Sequence, residues 1–299
     1  MMSKKKSLIV LVIILVFAIG IFFMYKRIKD KIGRFDFEDN KNIEMLNELN
    51  KNFKMPEDYT LEIFEVDGIA MEWVVKKDAN PDKAILQLHG GAYTRSLKDN
   101  GMTYRRAAVQ YARISGAAVL TVDYRVAPKD PYPAALEDAL LAYNWLLDNG
   151  FTAENIIIVG DSAGGGLALA IVLFLRDNNM PMPAGLITMS AWTNLNYKRR
   201  KPAYVGNERA DNPYISPVYG EYHDFPPMLM QAGGDEIILN DTLKVAAKAK
   251  DAGVLVTQTT YPGMFHVFQM LFPELEDANK AWEEVEEFIT NIFYGNMGG

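Results

Sequence analysis

The sequence predicts an α/β domain in which helices cover both faces of a mostly parallel, eight-stranded sheet. Short apolar or β-branched segments of strand length alternate along the chain with longer segments of helical periodicity. Most of the strand segments are apolar throughout, as expected for strands that are covered on both faces. No Pro/Gly/Ser-rich linker interrupts the 299 residues, so a single domain is expected after the N-terminal segment.

The first two strands form a predicted hairpin. Residues 61–66 and 70–75 flank Asp67-Gly68-Ile69, a turn signal that places an antiparallel pair at the sheet edge. Six further strands are predicted at residues 84–88, 117–122, 155–159, 186–190, 228–231 and 254–260. Helices are predicted at residues 102–115, 134–148, 165–176, 241–252 and 274–293. Because helices connect most of the strands, crossovers and parallel pairing are favoured.

The composition excludes several function classes. The chain has no cysteine, which excludes a disulfide scaffold, a thiolate zinc site and a cysteine nucleophile. Its three histidines leave little room for a metal site. We therefore expect no metal and no cofactor. The total net charge is −7, and the chain after residue 34 carries a net charge of −14. A body this acidic repels phosphate backbones, so nucleic acid is not an expected partner.

The N-terminal segment, residues 1–34, has a different character. It carries eight basic side chains and one acidic side chain around an uncharged apolar run at residues 8–24. Seventeen helical residues span about 26 Å, near the short end for a transmembrane helix. No small-x-small cleavage site follows the run, which argues against a cleaved signal peptide. We therefore expect a single-pass anchor in the lipid bilayer and a cell-membrane location, with the side of the membrane undetermined.

The exit of the strand at residues 155–159 carries a candidate nucleophile. Ser162 lies in the pentapeptide Gly160-Asp-Ser-Ala-Gly164, between this strand and an apolar helical pattern. A serine that is held exposed on a tight strand-to-helix turn needs small residues two positions before and after it. The N-terminus of the following helix would favour a developing negative charge beside the serine.

The exit of the strand at residues 84–88 offers an oxyanion hole. There the chain reads His89-Gly90-Gly91-Ala92, in which the adjacent glycines let backbone N–H groups converge on one oxygen. We expect the donors to be the backbone N–H groups of Gly91 and Ala92, together with that of Ala163 after the nucleophile. His89 and Gly90 are expected to shape the loop, and His89 is not the expected base.

The base and the acid of a catalytic triad should follow the serine in the order acid, then histidine. His266 comes after the last predicted strand and is the expected base, whereas His223 lies in a polar loop. Asp235 follows the strand at residues 228–231 and two glycines, and it is the expected acid. Asp241 is the competitor, but it opens a helical pattern and is interpreted as an N-cap. Glu236 is left without an assigned role.

Several spaced motifs together resemble the hormone-sensitive-lipase-like branch of the α/β-hydrolases. They cover the chain from about residue 61 to residue 292 and read His89-Gly-Gly-Ala-Tyr93, Asp123-Tyr-Arg-Val-Ala-Pro128, Tyr132-Pro-Ala-Ala-Leu-Glu-Asp138, Gly160-Asp-Ser-Ala-Gly-Gly165, Asn212-Pro-Tyr-Ile-Ser-Pro217, Gly234-Asp-Glu-Ile-Ile-Leu239 and Phe265-His266. The resemblance implies the α/β-hydrolase fold over residues 35–299. It also implies a small helical cap made from about residues 35–59 and 193–225.

The resemblance further implies a serine carboxylesterase for small-molecule esters with short, acetyl-type acyl groups. In one departure, this chain has Ala92 where the family often has a third glycine. The N–H group survives this change, but the methyl group narrows the space for bulky substituents. The expected reaction is acyl transfer through a covalent intermediate on Ser162.

Two other classes of function remain open at this point. An amidase, peptidase or deacetylase would use the same triad, and matched ester and anilide substrates would distinguish it from an esterase. A hydrolase-fold binding protein typically lacks a triad member, whereas Ser162, Asp235 and His266 are all present. The oligomeric state is not determined by the sequence.

Overall fold

The computed structural model describes residues 50–51, 53–197, 201–271 and 275–295. Its strands are β1 (Tyr59–Val66), β2 (Ile69–Lys76), β3 (Ala84–Leu88), β4 (Ala118–Val122), β5 (Ile156–Asp161), β6 (Gly185–Met189), β7 (Met228–Gly233) and β8 (Val256–Tyr261). Its helices are α1 (Leu97–Ser115), α2 (Ala134–Asp148), α3 (Ser162–Asp177), α4 (Leu239–Asp251), α5 (Phe268–Leu271) and α6 (Glu276–Tyr294).

All eight strands form one sheet in the order β1-β2-β4-β3-β5-β6-β7-β8. Strand β2 runs antiparallel to β1 and β4, and the other neighbouring strands pair in parallel. Asp67 and Gly68 join the hairpin with φ angles of 49° and 81°, the positive values that tight hairpin turns require. The prediction of a mostly parallel sheet with an antiparallel hairpin at its edge is confirmed.

Three helices begin earlier than their apolar patterns indicate, and α4 does so by two residues, at Leu239 instead of residue 241. Helix α1 begins at Leu97 instead of residue 102, because Asp99 Oδ2 accepts a hydrogen bond of 2.9 Å from the Ser96 backbone N–H group and caps the helix there. Helix α3 begins at Ser162 instead of residue 165. The nucleophile candidate is therefore the first residue of its helix, and the small residues of this first turn carry no amphipathic signal.

The sheet is covered on both faces by apolar side chains. One core cluster joins α2, α3 and α4 to strand residues such as Leu86 and Ile158. A second cluster joins α1 and α6 to their neighbours Ile85 and Ile157, which point to the opposite face. The central strands β3 to β7 are buried along their whole length. This burial explains their continuous apolar sequences.

The topology brings the functional loops together at the carboxyl edge of the sheet. Strand β5 lies between β3 and β6, so the loops that follow these three strands are neighbours. The segment 193–225 follows β6, and its regular structure among the described residues consists of two short 3-10 turns, at Ala203–Val205 and Pro217–Tyr219. The other segment expected in a cap, 35–59, lies mostly outside the described residues.

The prediction of a cell-membrane protein is corrected. None of the helices in the described part of the chain is both long and apolar enough to cross a membrane. The apolar helix α3 has 16 residues, and it packs in the protein core instead of facing lipid. The anchor predicted for residues 1–34, with its apolar run at 8–24, falls outside the described residues.

Candidate active site

Ser162 sits on a sharp turn between β5 and α3. Its φ angle is 50°, a left-handed value that is unfavourable for a residue with a side chain. The turn is possible because the chain passes very close to itself at two glycines. A Cβ atom on Gly160 would lie 2.3 Å from the Gly164 carbonyl oxygen, and one on Gly164 would lie 2.1 Å from the Leu88 carbonyl oxygen. The predicted elbow is therefore present in the structure.

A serine, a histidine and a carboxylate are connected in series at this turn. His266 Nε2 lies 2.9 Å from Ser162 Oγ, and His266 Nδ1 lies 3.0 Å from Glu236 Oε2. The Glu236 side chain is fully buried, whereas that of His266 keeps 15% of its exposure. With the proton on Nδ1 donated to Glu236, Nε2 is the acceptor for the serine hydroxyl. The arrangement provides a nucleophile, a base and a carboxylate that orients the base.

The carboxylate beside the imidazole is that of Glu236, so the sequence-based choice of Asp235 is corrected by one position. Asp235 is exposed, and its backbone N–H group donates to the Met264 carbonyl oxygen at 2.9 Å. A Cβ atom on Gly233 would lie 2.5 Å from the same oxygen. This glycine therefore allows the loop that carries Asp235 and Glu236, here called the acid loop, to approach the loop that carries His266. Adjacent side chains on the acid loop face different ways, and Glu236 is the one turned inward.

The loop after β3 exposes backbone N–H groups in an unusual conformation. Gly91, Ala92 and Tyr93 have φ angles of 124°, 55° and 58°. The Gly91 carbonyl oxygen accepts hydrogen bonds of 3.0 Å from the backbone N–H groups of Thr94 and Arg95, which closes the loop. The N–H groups of Gly91 and Ala92 have no acceptor within the described residues. Donors held in this way are available to an oxygen of a ligand.

A buried hydrogen-bond network fixes the start of this loop. The Gly90 N–H group donates to the Tyr104 hydroxyl at 2.7 Å and to Asp161 Oδ1 at 3.1 Å. The Tyr104 hydroxyl donates in turn to Asp161 Oδ2 at 3.1 Å. Burial raises the pKa of Asp161 to about 6, and the hydrogen bond from Tyr104 acts in the opposite direction. Sequence reasoning assigned no role to Tyr104 or Asp161, although Asp161 lies within the serine pentapeptide.

His89, for which the sequence predicts a loop-shaping role, lies at the start of the same loop and contacts it through its ring. Its ring stacks on Tyr124 with a centroid distance of 4.0 Å and an interplanar angle of 2°. Its Nδ1 atom donates to the Gly90 carbonyl oxygen at 2.8 Å. Burial lowers the pKa of His89 to about 4, so the ring is neutral at physiological pH. The exposed His223 lies elsewhere, where its carbonyl oxygen accepts a hydrogen bond of 3.4 Å from Arg176.

The segment that follows β6 is hydrogen-bonded both to the turn that carries Ser162 and to the loop that carries His266. The Trp192 backbone N–H group donates to the Ser162 carbonyl oxygen at 2.8 Å. The Ser190 hydroxyl accepts a hydrogen bond of 3.0 Å from the backbone N–H group of Val267, the neighbour of His266. These contacts were not predicted, because neither residue belongs to a motif that signals chemistry. In the described part of the chain, no group of three or more metal-ligating side chains is found.

The fold, the strand-to-helix elbow and the serine, histidine and glutamate in series define an α/β-hydrolase. Comparison with protein families agrees: a family profile described as alpha/beta hydrolase fold matches residues 85–270. The chain is 32% identical over 249 residues to an acetyl-hydrolase of Streptomyces hygroscopicus, covering 76% of this chain and 82% of that protein. It is 31% identical over 239 residues to an esterase of Acinetobacter venetianus, with coverage of 73% and 78%.

Solved structures place the chain more narrowly. A crystal structure of an esterase from the bacterial hormone-sensitive lipase family matches with a TM-score of 0.77 and 30% identity. The match covers 90% of this chain and 97% of that structure. The chain therefore belongs to the hormone-sensitive-lipase-like branch of the α/β-hydrolases, a family of carboxylic ester hydrolases, as its motifs indicated.

Proposed function

We propose that this carboxylic ester hydrolase works through an acyl-enzyme on Ser162. His266 Nε2 takes the hydroxyl proton as Ser162 Oγ attacks the ester carbonyl carbon, and His266 then gives that proton to the leaving alcohol. Water attacks the acyl-enzyme with the same base, releases the carboxylic acid and restores Ser162. Glu236 keeps the Nδ1 proton in place and stabilises the imidazolium that forms during each transfer.

Two hydrogen-bond contacts in series, from Ser162 to His266 and from His266 to Glu236, are the observation that supports this proposal. The distances of 2.9 Å from Ser162 Oγ to His266 Nε2 and 3.0 Å from His266 Nδ1 to Glu236 Oε2 are both within hydrogen-bond range. The serine is 5% exposed, so its hydroxyl sits in a largely dry site where these bonds are strengthened. The order serine, acid, histidine along the chain is also that of α/β-hydrolases.

The tetrahedral oxyanion would be bound by the backbone N–H groups of Gly91, Ala92 and Ala163. The first two lack acceptors among the described residues, and the third lies in the first turn of α3, where backbone N–H groups have no intrahelical partner. Removing one such donor in other hydrolases costs about 100- to 1,000-fold in turnover. These backbone donors provide the electrostatic part of the mechanism.

The acyl group is proposed to be short, of acetyl type. The methyl group of Ala92 and the ring of Tyr93 belong to the loop that carries the proposed oxyanion donors, residues 89–95, here called the oxyanion loop. Tyr93 stacks on Tyr204 of the segment 193–225 with a centroid distance of 3.8 Å. We propose that this segment forms part of a cap that limits the space near Ser162. The relative that is named an acetyl-hydrolase supports the same choice.

A panel of p-nitrophenyl esters tests the reaction and the acyl length. We expect kcat/KM to be highest for acyl chains of about two to four carbons and to fall by about tenfold or more at about eight carbons and beyond. The fall should occur because long chains do not fit beside Tyr93 and Tyr204. Equal rates across the series would contradict the short-chain assignment, and no hydrolysis of any ester would contradict the proposed function.

Amide cleavage by the same groups is tested with a matched pair of substrates. p-Nitroacetanilide differs from p-nitrophenyl acetate at the leaving atom alone, so it separates an esterase from an amidase or deacetylase. We expect the ester to react at least about 1,000-fold faster, because the amine of the anilide is a much poorer leaving group than p-nitrophenolate. Comparable rates would favour the amidase interpretation.

The Tyr104→Phe variant tests the network under the oxyanion loop. The change removes the hydroxyl that bridges Gly90 and Asp161, so the loop should hold its N–H donors less well. We expect kcat on p-nitrophenyl acetate to fall by about tenfold while KM changes by less than about threefold, since the donors act mainly on the transition state. Tyr111→Phe is the matched control, because Tyr111 is also a buried tyrosine of α1 and packs on Trp282. Equal effects of the two variants would contradict this role.

A further inference from the structure

A buried carboxylate outside the catalytic series lies on α4. Asp241 is 8% exposed, and its Oδ2 atom accepts hydrogen bonds from the backbone N–H groups of Thr193 at 3.1 Å and Asn194 at 2.9 Å. Sequence reasoning interpreted Asp241 as an N-cap, but Ile238 holds that position and Asp241 is the third residue of the helix. A buried carboxylate is costly unless it is hydrogen-bonded, so these two bonds stabilise its ionised form.

The two N–H groups belong to the segment that carries Trp192. The Trp192 backbone N–H group donates to the Ser162 carbonyl oxygen at 2.8 Å, so this segment is tied to the turn that carries the serine. The indole Nε1 atom donates to the Tyr197 hydroxyl at 2.8 Å, and its ring lies 6.2 Å from that of Tyr93 on the oxyanion loop. We call the rings of Trp192 and Tyr197 the aromatic wall. The backbone that carries the wall is therefore hydrogen-bonded to Ser162 at Trp192 and to Asp241 at Thr193 and Asn194.

We propose that Asp241 is a positioning residue for the substrate, which it orients by holding the aromatic wall through the N–H groups of Thr193 and Asn194. The proposal rests on the proposed function, because the wall bounds a substrate that is attacked by Ser162. Asp241 does not touch the reacting atoms. Its loss should weaken substrate binding more than it slows the chemical step.

The two hydrogen bonds from Thr193 and Asn194 to Asp241, here called the tether, depend on pH because they end on an ionisable carboxylate. Burial raises the pKa of Asp241 to about 6, while its two backbone hydrogen bonds act in the opposite direction. The charged and titratable groups that face it are Lys244 on α4, Glu236 on the preceding loop and Tyr197 in the wall. As the pH falls through this pKa, the carboxylate gains a proton and loses its charge-assisted hydrogen bonds. The wall is then held less firmly in acid.

Two substitutions in the full-length chain separate the tether from its charge. Both hydrogen bonds end on one oxygen, so Asp241→Asn keeps an acceptor for them, whereas Asp241→Ala removes it. At pH 8 we expect KM for p-nitrophenyl acetate to rise about tenfold in the Ala variant and about two- to threefold in the Asn variant. The kcat of both variants should stay within about threefold of the wild type.

A purely structural role of Asp241 would not make KM depend on pH, so the pH profile of KM tests the proposal. As the pH falls below the Asp241 pKa of about 6, the KM of the wild type should rise toward the KM of the Asn variant. The KM of the Asn variant should not change over the same pH range. Thr242→Val is the matched control: Thr242 is buried in the same helical turn, and its hydroxyl has no hydrogen-bond partner in the described part of the chain. It should leave KM unchanged. An unchanged KM in the Ala variant, or the same acid rise in the Asn variant, would overturn the proposal.

Amide hydrogen exchange tests the tether independently of enzyme activity. Deuterium uptake in residues 190–197 should be faster in Asp241→Ala than in the wild type, and close to wild type in Asp241→Asn and Thr242→Val. Equal uptake in all four proteins would overturn the tether. If the wild type hydrolysed no ester, the proposed function would fail, while the exchange result would still decide whether Asp241 holds this segment.

Discussion

The Ser162→Ala variant should lose nearly all esterase activity, with kcat on p-nitrophenyl acetate reduced by about 10⁵-fold or more. In the proposed mechanism this oxygen forms the acyl-enzyme, so the rate that remains without it comes from the oxyanion donors and substrate binding alone. The fold should be retained, because a small hydroxyl is lost and alanine adds no atom at the tight elbow. The φ angle of 50° at this position is no better suited to serine than to alanine.

The control for this loss is Ser96→Ala, at the start of α1, which should leave the rate unchanged. Circular dichroism and the melting temperature should show that both variants are folded. An organophosphonate ester should label Ser162 and no other serine, as judged by mass spectrometry of the digested protein. A Ser162→Ala variant that kept more than about a tenth of the wild-type rate would reject the nucleophile.

The second large effect is expected for Glu236→Gln. Glutamine matches the volume of glutamate but carries no charge, and its amide does not hold the His266 proton on Nδ1 as a carboxylate does. The Nε2 atom is then less available as a base, so kcat should fall by about 10⁴-fold with a smaller change in KM. The burial of the Glu236 side chain removes the solvent that would otherwise soften this loss.

Asp235→Asn is the matched control, because it neutralises the adjacent carboxyl group. Asp235 is exposed, and it is the backbone of this residue that holds the loop through the Met264 carbonyl oxygen. We expect kcat of this variant to stay within about threefold of the wild type. A large loss in Asp235→Asn together with a small one in Glu236→Gln would restore the assignment suggested by the sequence.

The sequence predicted the strands well and the helix starts less well. Strand β3 has the predicted bounds, and the ends of the other strands differ from the prediction by at most two residues, because apolar strands between polar turns give a sharp signal. Helix α1 begins five residues before its predicted start, since a cap at Ser96 and Asp99 adds a polar first turn. Such a turn makes no apolar pattern, so periodicity alone does not detect it.

Side-chain direction at loops was the other source of error. The strand exits place Asp235 and Glu236 within reach of His266, but which of two adjacent carboxylates points inward depends on the backbone hydrogen bonds around Met264. The role of Asp241 was hidden for the same reason. Its partners Thr193 and Asn194 are 48 and 47 residues away along the chain, and nothing in the local sequence links them.

The sequence alone determined the α/β architecture, the tight strand-to-helix turn at Ser162, the loop that begins at His89 and the placement of His266 after the last strand. These features depend on periodicity, on glycines at tight turns and on motif order, which are local properties of the chain. Only the tertiary structure decided that Glu236 is the carboxylate at His266, that Asp161 and Tyr104 hold Gly90, and that Asp241 binds the segment after β6. These contacts join residues far apart in the chain, and they form because the parallel strands bring their carboxyl ends, and the loops that follow, to one edge of the sheet.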